Sequence, residues 1–320
     1  MQRRHVLKLG LVTTLASAAN ALARPSAAPV IDAHIHLFDP RRPGGIPWPD
    51  KSDAIYRPAL PEGYAAVSQP FGIAGAIAVE ASPLAADNDW ILNLIAGASN
   101  ILGYIGNLAP GTPAFARELD RLRANPLFLG IRCGNLWNRD LFTSAEDPAF
   151  LADLRRLAAA GLTMDSANPD LRLIRALLHI SGQIPDLRIV LDHLPNAALP
   201  ESTSEIHELQ AGLKTLSTNP NVFVKLSEIP VRINGEVPTQ VSYYRRKLDA
   251  IWDLFGEDHI LFGSDWPNSD HLTTYATTFG IVRGYINERA PSASEKFFAR
   301  NSLAAYRWHA RTPAQALIQF

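Results

Sequence analysis

The chain has 320 residues, and its 30 Lys plus Arg are matched by 31 Asp plus Glu, so no excess of positive charge marks a nucleic-acid-binding surface. Hydrophobic residues make up 47% and charged residues 19%, which excludes a disordered or fibrous chain and leaves a globular protein able to bury a large core. The single cysteine, Cys133, excludes an intramolecular disulfide, so stability rests on that core.

The first 23 residues, MQRRHVLKLGLVTTLASAANALA, combine a basic start, an apolar run from Val6 to Ala19 and a small-residue ending at Ala21-Leu22-Ala23. This is the pattern of a secretory signal, with cleavage expected after Ala23. Its Arg3-Arg4 pair resembles the twin-arginine class, whose export machinery carries folded cargo across the bacterial inner membrane. The mature protein is therefore expected in the periplasm or otherwise exported. No later apolar segment reaches the ~20 residues of a spanning helix, so no stable membrane insertion is expected after signal cleavage. Residues 24–29 are Pro/Ala/Ser-rich and read as a linker.

Short apolar runs bounded by Gly, Pro, Asn or Asp follow at 30–36, 75–82, 101–109, 128–133, 162–167, 188–194, 222–227 and 260–266, as strands buried on both faces require. Between them, 87–98, 113–124, 148–160, 170–182, 204–218, 240–255 and 272–289 carry apolar residues at three-and-four spacing and predict helices. In DPAFLADLRRLAAAG, Phe150, Leu151, Leu154, Leu157 and Ala158 line one side, Asp153, Arg155 and Arg156 face water, and Gly161 ends the helix. Strand then helix, repeated about eight times, predicts an α/β fold: a single-domain (β/α)8 TIM barrel over 30–309 with a C-terminal tail at 310–320. A doubly wound sheet would want a Gly-rich phosphate loop after an early strand, and the sequence has none. The Pro/Gly-rich stretch 41–64 reads as a long loop of the kind that forms lids and binding walls.

In such a barrel the C-terminal strand ends converge, so polar residues there meet in space. The predicted strand ends carry His34, His36, Glu80, Ser82, Asn107, Arg132, Asp165, His193, Lys225 and Asp265. Alternation puts His34 and His36 on one face, where two imidazoles can grip one divalent ion. An isolated HxH is usually a packing pair, a lone His a core residue and a lone Asp a helix cap. Four such residues at the ends of the first, sixth and eighth strands argue for a site instead.

These residues sit in IDAHIHLFDP, VEAS, LDHL, VKLS, FGSDWP and NSLAAYRW, which together, over nearly the whole mature chain, resemble the amidohydrolase superfamily. The similarity is to its amidohydrolase-related branch of TIM-barrel lactonases, which includes fuconolactonase and 2-pyrone-4,6-dicarboxylate lactonase. The resemblance implies hydrolysis of a small-molecule lactone, the cyclic ester of a sugar acid or related carboxylic acid. Two-metal members of the superfamily bridge their ions from the fourth strand and bind the second through a His on the fifth. Here those positions hold Arg132-Cys133 and Asp165, so the resemblance implies no metal or one divalent ion, zinc for preference, on His34, His36, His193 and Asp265.

In this reading Asp265 is the general base for a water, and His34, His36 and His193 face the developing oxyanion, directly or through an ion. Arg132 is expected to anchor a substrate carboxylate or polyol, or else to pair with Asp165. Glu80, Asp165 and Trp48 complete the expected substrate-binding set, with Arg139, Arg232 and Tyr243 as overhanging loop residues. Lys225 is a further strand-end candidate or equally a barrel-interior partner for Glu80, and Cys133 is expected to be a packed thiol. Ser264 as a nucleophile with His193 as base is the lesser hydrolase reading, since Ser264 lacks a Gly-x-Ser-x-Gly elbow. The same residues also admit a metal-dependent decarboxylase of an aromatic or related acid, and a non-catalytic exported binding protein on the same barrel.

Overall fold

The structure, a computed structural model, describes residues 29–318; the signal-type segment 1–23 and most of the linker lie outside the described residues. Eight parallel strands run in chain order around one sheet: β1 (Val30–His36), β2 (Ile73–Val79), β3 (Ile101–Gly106), β4 (Phe128–Gly134), β5 (Thr163–Ala167), β6 (Arg188–Leu191), β7 (Val222–Leu226) and β8 (Ile260–Phe262). The chain just beyond β8 returns to β1, where Asp265 N–H donates to His34 O at 2.9 Å and His36 N–H to Trp266 O at 2.7 Å. That contact closes the (β/α)8 barrel.

Helices alternate with the strands: α1 (Pro61–Ser68), α2 (Ala86–Ala96), α3 (Phe115–Leu122), α4 (Leu141–Ser144), α5 (Pro148–Ala159), α6 (Leu171–Gln183), α7 (Thr203–Ser217), α8 (Val241–Phe255) and α9 (Tyr275–Ile286). The chain ends in α10 (Pro291–Glu295), a π-helical stretch Lys296–Arg300, α11 (Asn301–Tyr306) and α12 (Pro313–Ala316). In α5 the Asp147 carboxylate caps the Ala149 N–H, Phe150, Leu151, Leu154 and Leu157 are buried, and Gly161 takes φ +72° just beyond. The periodicity that predicts this helix is thus the periodicity that packs it.

Two apolar layers hold the molecule together. The outer one lies between sheet and helices and takes Ile35, Ala78, Ile131, Met164, Val224 and Phe262 from the strands. The inner one fills the barrel with Ile31, Ala33, Ile77, Leu102, Val190 and Leu261, and Tyr306, Trp308 and Ile318 plug its lower end. Residues 310–318, read from the sequence as a tail, pack there: Gln315 is fully buried and its amide donates to the Ala74 and Ser99 carbonyls at 2.8 Å each. The stretch 41–64 ends in the first turn of α1, and Tyr64 of that helix donates to Asp32 at 3.0 Å. Composition hid this helix, although Pro61 at its start and Glu62 in its first turn are helix-start residues. Among the described residues no helix is long and apolar enough to cross a membrane.

Candidate active site

Alternation along β1 is interrupted where its register against β2 shifts between Asp32 and Ile35. Ala33 faces the barrel interior and Ile35 the helices, while His34 reaches across the barrel to Lys225, as the bulge allows. Asp32 faces outward to Tyr64 and Tyr275, so without the bulge His34 would share that outer face. Asp32 also accepts the Ser264 N–H at 2.8 Å, tying β1 to the segment that carries Asp265, and burial raises its carboxyl to about 6.

His193 and Asp265 lie just past the ends of β6 and β8, with φ of 55° and 60°. This left-handed backbone, sparsely used by residues with a Cβ, ends each ladder and turns the side chain over the strand ends. His34 Nε2 and His36 Nε2 stand 3.3 Å apart, Asp265 Oδ1 lies 3.2 Å from His36 Nε2 and 3.5 Å from His34 Nε2, and the His34 and His193 rings are 4.5 Å apart. The four residues singled out in the sequence therefore form one cluster, each at most 5% exposed.

Hydrogen bonds place the protons. His36 Nδ1 donates to Val79 O at 3.0 Å, which leaves the Nε2 lone pair facing Asp265 Oδ1. Lys225 Nζ, which can only donate, lies 3.2 Å from His34 Nδ1, so that bond leaves the proton of a neutral His34 on Nε2. Burial and the Lys225 charge hold His34 well below the usual imidazole range. Asp265 Oδ2 accepts from Asn268 at 2.7 Å, whereas Oδ1 is buried without a hydrogen-bond partner. Burial works to raise the Asp265 carboxyl, but His193, His36 and His34 outweigh it and keep the group ionised.

A second layer lies under the cluster. Lys225, fully buried, contacts Asp165 at 2.6 Å and Asp192 at 2.8 Å, and Tyr306 donates to Asp165 at 3.0 Å. Burial pushes the Asp165 carboxyl up to about 7; Asp192, despite its burial, is held well down by Lys225, His34 and Arg132. Three expectations are corrected here. Lys225 partners Asp165 and Asp192 rather than Glu80. Arg132 pairs with Asp192 at 2.9 Å, not with Asp165, so its fork is largely engaged before any substrate carboxylate arrives. Asp165 lies below the cavity floor and does not line it, because Lys225 and Tyr306 occupy it.

Above the cluster opens a cavity of about 380 Å³, whose lining includes His36, His193, Asp265, Arg132, Trp48 and Glu80. Trp48 stands edge-on to His36 at 5.4 Å. Glu80 Oε1 accepts from Arg139 at 2.6 Å and from Trp137 at 3.2 Å, while Oε2 is buried without a partner. Glu228, Asn268, Trp137 and Asn168 also line the cavity. Sequence reasoning missed these four and Asp192; adjacency to His193 in LDHL was the one signal for Asp192. Arg232 bonds the Gly235 carbonyl, and Tyr243 is 61% exposed. The Ser264 hydroxyl accepts from Trp266 N–H at 3.1 Å, and His193 Nδ1 meets Ser227 at 2.8 Å. Each partner of the lesser Ser264–His193 reading is thus engaged elsewhere. Cys133 is a buried thiol pushed up to about 12 by that burial.

The donors suit a metal. Two acceptor atoms 3.2 Å apart, His36 Nε2 and Asp265 Oδ1, call for a proton or cation between them. Three overlapping groups could each hold a divalent ion, His34–His36–Asp265, His193–Glu228–Asp265 and His34–Asp192–His193, the last through the opposite ring nitrogen of His34.

A family model described as Amidohydrolase matches residues 31–308. An L-fucono-1,5-lactonase of Burkholderia ambifaria is 27% identical over 287 residues, covering 87% of this chain and 95% of that protein. An amidohydrolase from Burkholderia multivorans, solved with bound zinc, matches with a TM-score of 0.76 and 22% identity over 88% of this chain and all of its own. Amidohydrolase 2 from Bifidobacterium longum subsp. infantis matches with a TM-score of 0.66 and 24% identity, again over 88% and 100%.

Proposed function

Because this chain belongs to the amidohydrolase family, we propose that it is an exported hydrolase that opens a lactone by attack of water on the ester carbonyl. The observation that carries this reading is Asp265 Oδ1, ionised, buried and unpartnered beside two imidazoles on a cavity of about 380 Å³. The similarity to a protein named L-fucono-1,5-lactonase supports an ester substrate.

Asp265 takes a proton from the attacking water while the water oxygen bonds to the carbonyl carbon. Asn268, holding Oδ2, keeps Oδ1 turned to that water. The carbonyl oxygen becomes an oxyanion beside Arg132 Nη2, which lines the cavity 3.3 Å from His193 Nε2. Collapse breaks the ring C–O bond, and the proton on Asp265 passes to the departing alkoxide, giving the hydroxy acid. The neighbours that keep Asp265 ionised also weaken it as a base, which places more of the demand on stabilising the oxyanion. A zinc ion held by His36, Asp265 and, with the His34 proton moved to Nδ1 beside Asp192, by His34 Nε2 would act as a Lewis acid and lower the pKa of water to ~7.

A pH-indicator screen of lactones, run on metal-analysed enzyme with and without chelator, tests the reading. Acid release from a lactone is the expected result, and loss of rate on chelation that one added zinc per chain restores would assign the ion to the site. Carbon dioxide release from an aromatic acid with no lactone turnover would establish a lyase instead. Export is tested by cell fractionation: the expected outcome is a periplasmic protein beginning at Arg24, and retention of an Arg3→Lys, Arg4→Lys variant in the cytoplasm.

A further inference from the structure

The cations at the cavity are already paired. Arg132 is paired with Asp192, and Arg139, beside the cavity, is paired with Glu80 at 2.6 Å. The carboxylates are less fully used. Glu80 is buried, two donors hold its Oε1, and its Oε2 has none. Glu228, 31% exposed in its side chain, faces the same space.

The loop after β4 is built to hold Glu80 this way. Trp137 and Asn138 take successive left-handed conformations, φ 56° and 59°, which bring the Trp137 indole N–H to Glu80 and leave the ring as a wall of the cavity. A carboxylate fixed on one oxygen and bare on the other accepts a hydrogen bond from any O–H that enters. A substrate carboxylate would instead meet Glu80, Glu228 and Asp265, and among the described residues the nearby cations Arg132 and Arg139 are already paired.

We propose that Glu80, held by Arg139 and Trp137, accepts a hydroxyl of the substrate ring, so that the site selects an uncharged polyhydroxylated lactone over a lactone carrying a free carboxylate. This rests on the lactonase reading above. Trp48 and Trp137 present apolar surface to the ring carbons, and Glu80 reads one hydroxyl position.

The test is substrate-side. For the wild-type enzyme, kcat/KM is measured on the fastest aldonolactone, on each of its single-deoxy analogues, and on the lactone of the matching aldaric acid, in which the terminal CH₂OH is a carboxylate. One deoxy position is expected to lose about 10- to 100-fold, the worth of a hydrogen bond to a charged group. The aldaric lactone is expected to be at least about 10-fold slower. In Glu80→Gln the penalty at that same position shrinks, because the parent falls toward its deoxy analogue. Deoxy analogues indistinguishable from the parent, or an aldaric lactone turned over as fast, would overturn the inference while leaving the lactonase reading intact. Absence of turnover on every lactone would remove both. If Glu80→Gln does not fold, the wild-type series decides alone.

Discussion

The two ends of the barrel bury polar groups in opposite ways. At the N-terminal end buried and part-buried polar side chains close largely on backbone. Arg311 donates to the Ile95, Ala98 and Ile101 carbonyls, Arg188 and Thr163 both to Ala305 O, and Asn301 to Glu257 O and Ile260 O. At the C-terminal end side chains face side chains, and Glu80 Oε2, Asp165 Oδ1 and Asp265 Oδ1 are left without a hydrogen-bond partner. A buried acceptor with no donor is costly, so the upper end carries a deficit that the lower end does not. Stability and reactivity are thus divided along the barrel axis.

Four substitutions would sharpen or break that division. Asp265→Asn should lower kcat by about 10²- to 10⁴-fold, roughly 3 to 5.5 kcal/mol of barrier, with an unchanged circular dichroism spectrum; full activity would remove Asp265 from the chemistry. Lys225→Met leaves Asp165 and Asp192 without their shared cation and should cost about 3 to 5 kcal/mol in urea unfolding. A near-neutral result would show that the layer below the site is not structural. Arg311→Ala, at the lower end, should cost about 2 kcal/mol of stability and leave kcat/KM where it was, so a kinetic effect would breach the division. Ser264→Ala loses the bond from Trp266 N–H and the hydroxyl's bond to the buried Asp32 carboxyl, about 2 kcal/mol, and should remain active; an inactive but folded variant would revive the serine nucleophile.

Much of this architecture was legible because parallel strands buried on both faces write themselves as apolar runs. All eight strands and the seven predicted helices fall where the runs and periodicities put them. The errors concentrate at the upper strand ends. The runs 101–109, 188–194 and 260–266 are strands only as far as Gly106, Leu191 and Phe262. At His193 and Asp265 the backbone turns left-handed, and hydrophobicity carries no record of a φ angle. The same blindness hid the β1 bulge that turns His34 inward. His34, His36, His193, Asp265, Arg132 and Glu80 were nevertheless found, because charged and imidazole residues in apolar runs stand out. Trp137, Asn168, Glu228 and Asn268 lie in loops where polar and aromatic residues are ordinary, and only the fold brings them to the cavity.

The bond from Ser264 N–H to Asp32 joins positions 232 apart, and Asp265 N–H pairs with His34 O beside it. The imidazole pair comes early in synthesis and the carboxylate late, so a growing polypeptide holds an incomplete site until its eighth strand has left the ribosome. Contacts of such high sequence separation make for slow folding, since the chain must close its longest loop before the reward arrives. Any fragment ending before residue 260 lacks both the base and the strand that shuts the ring.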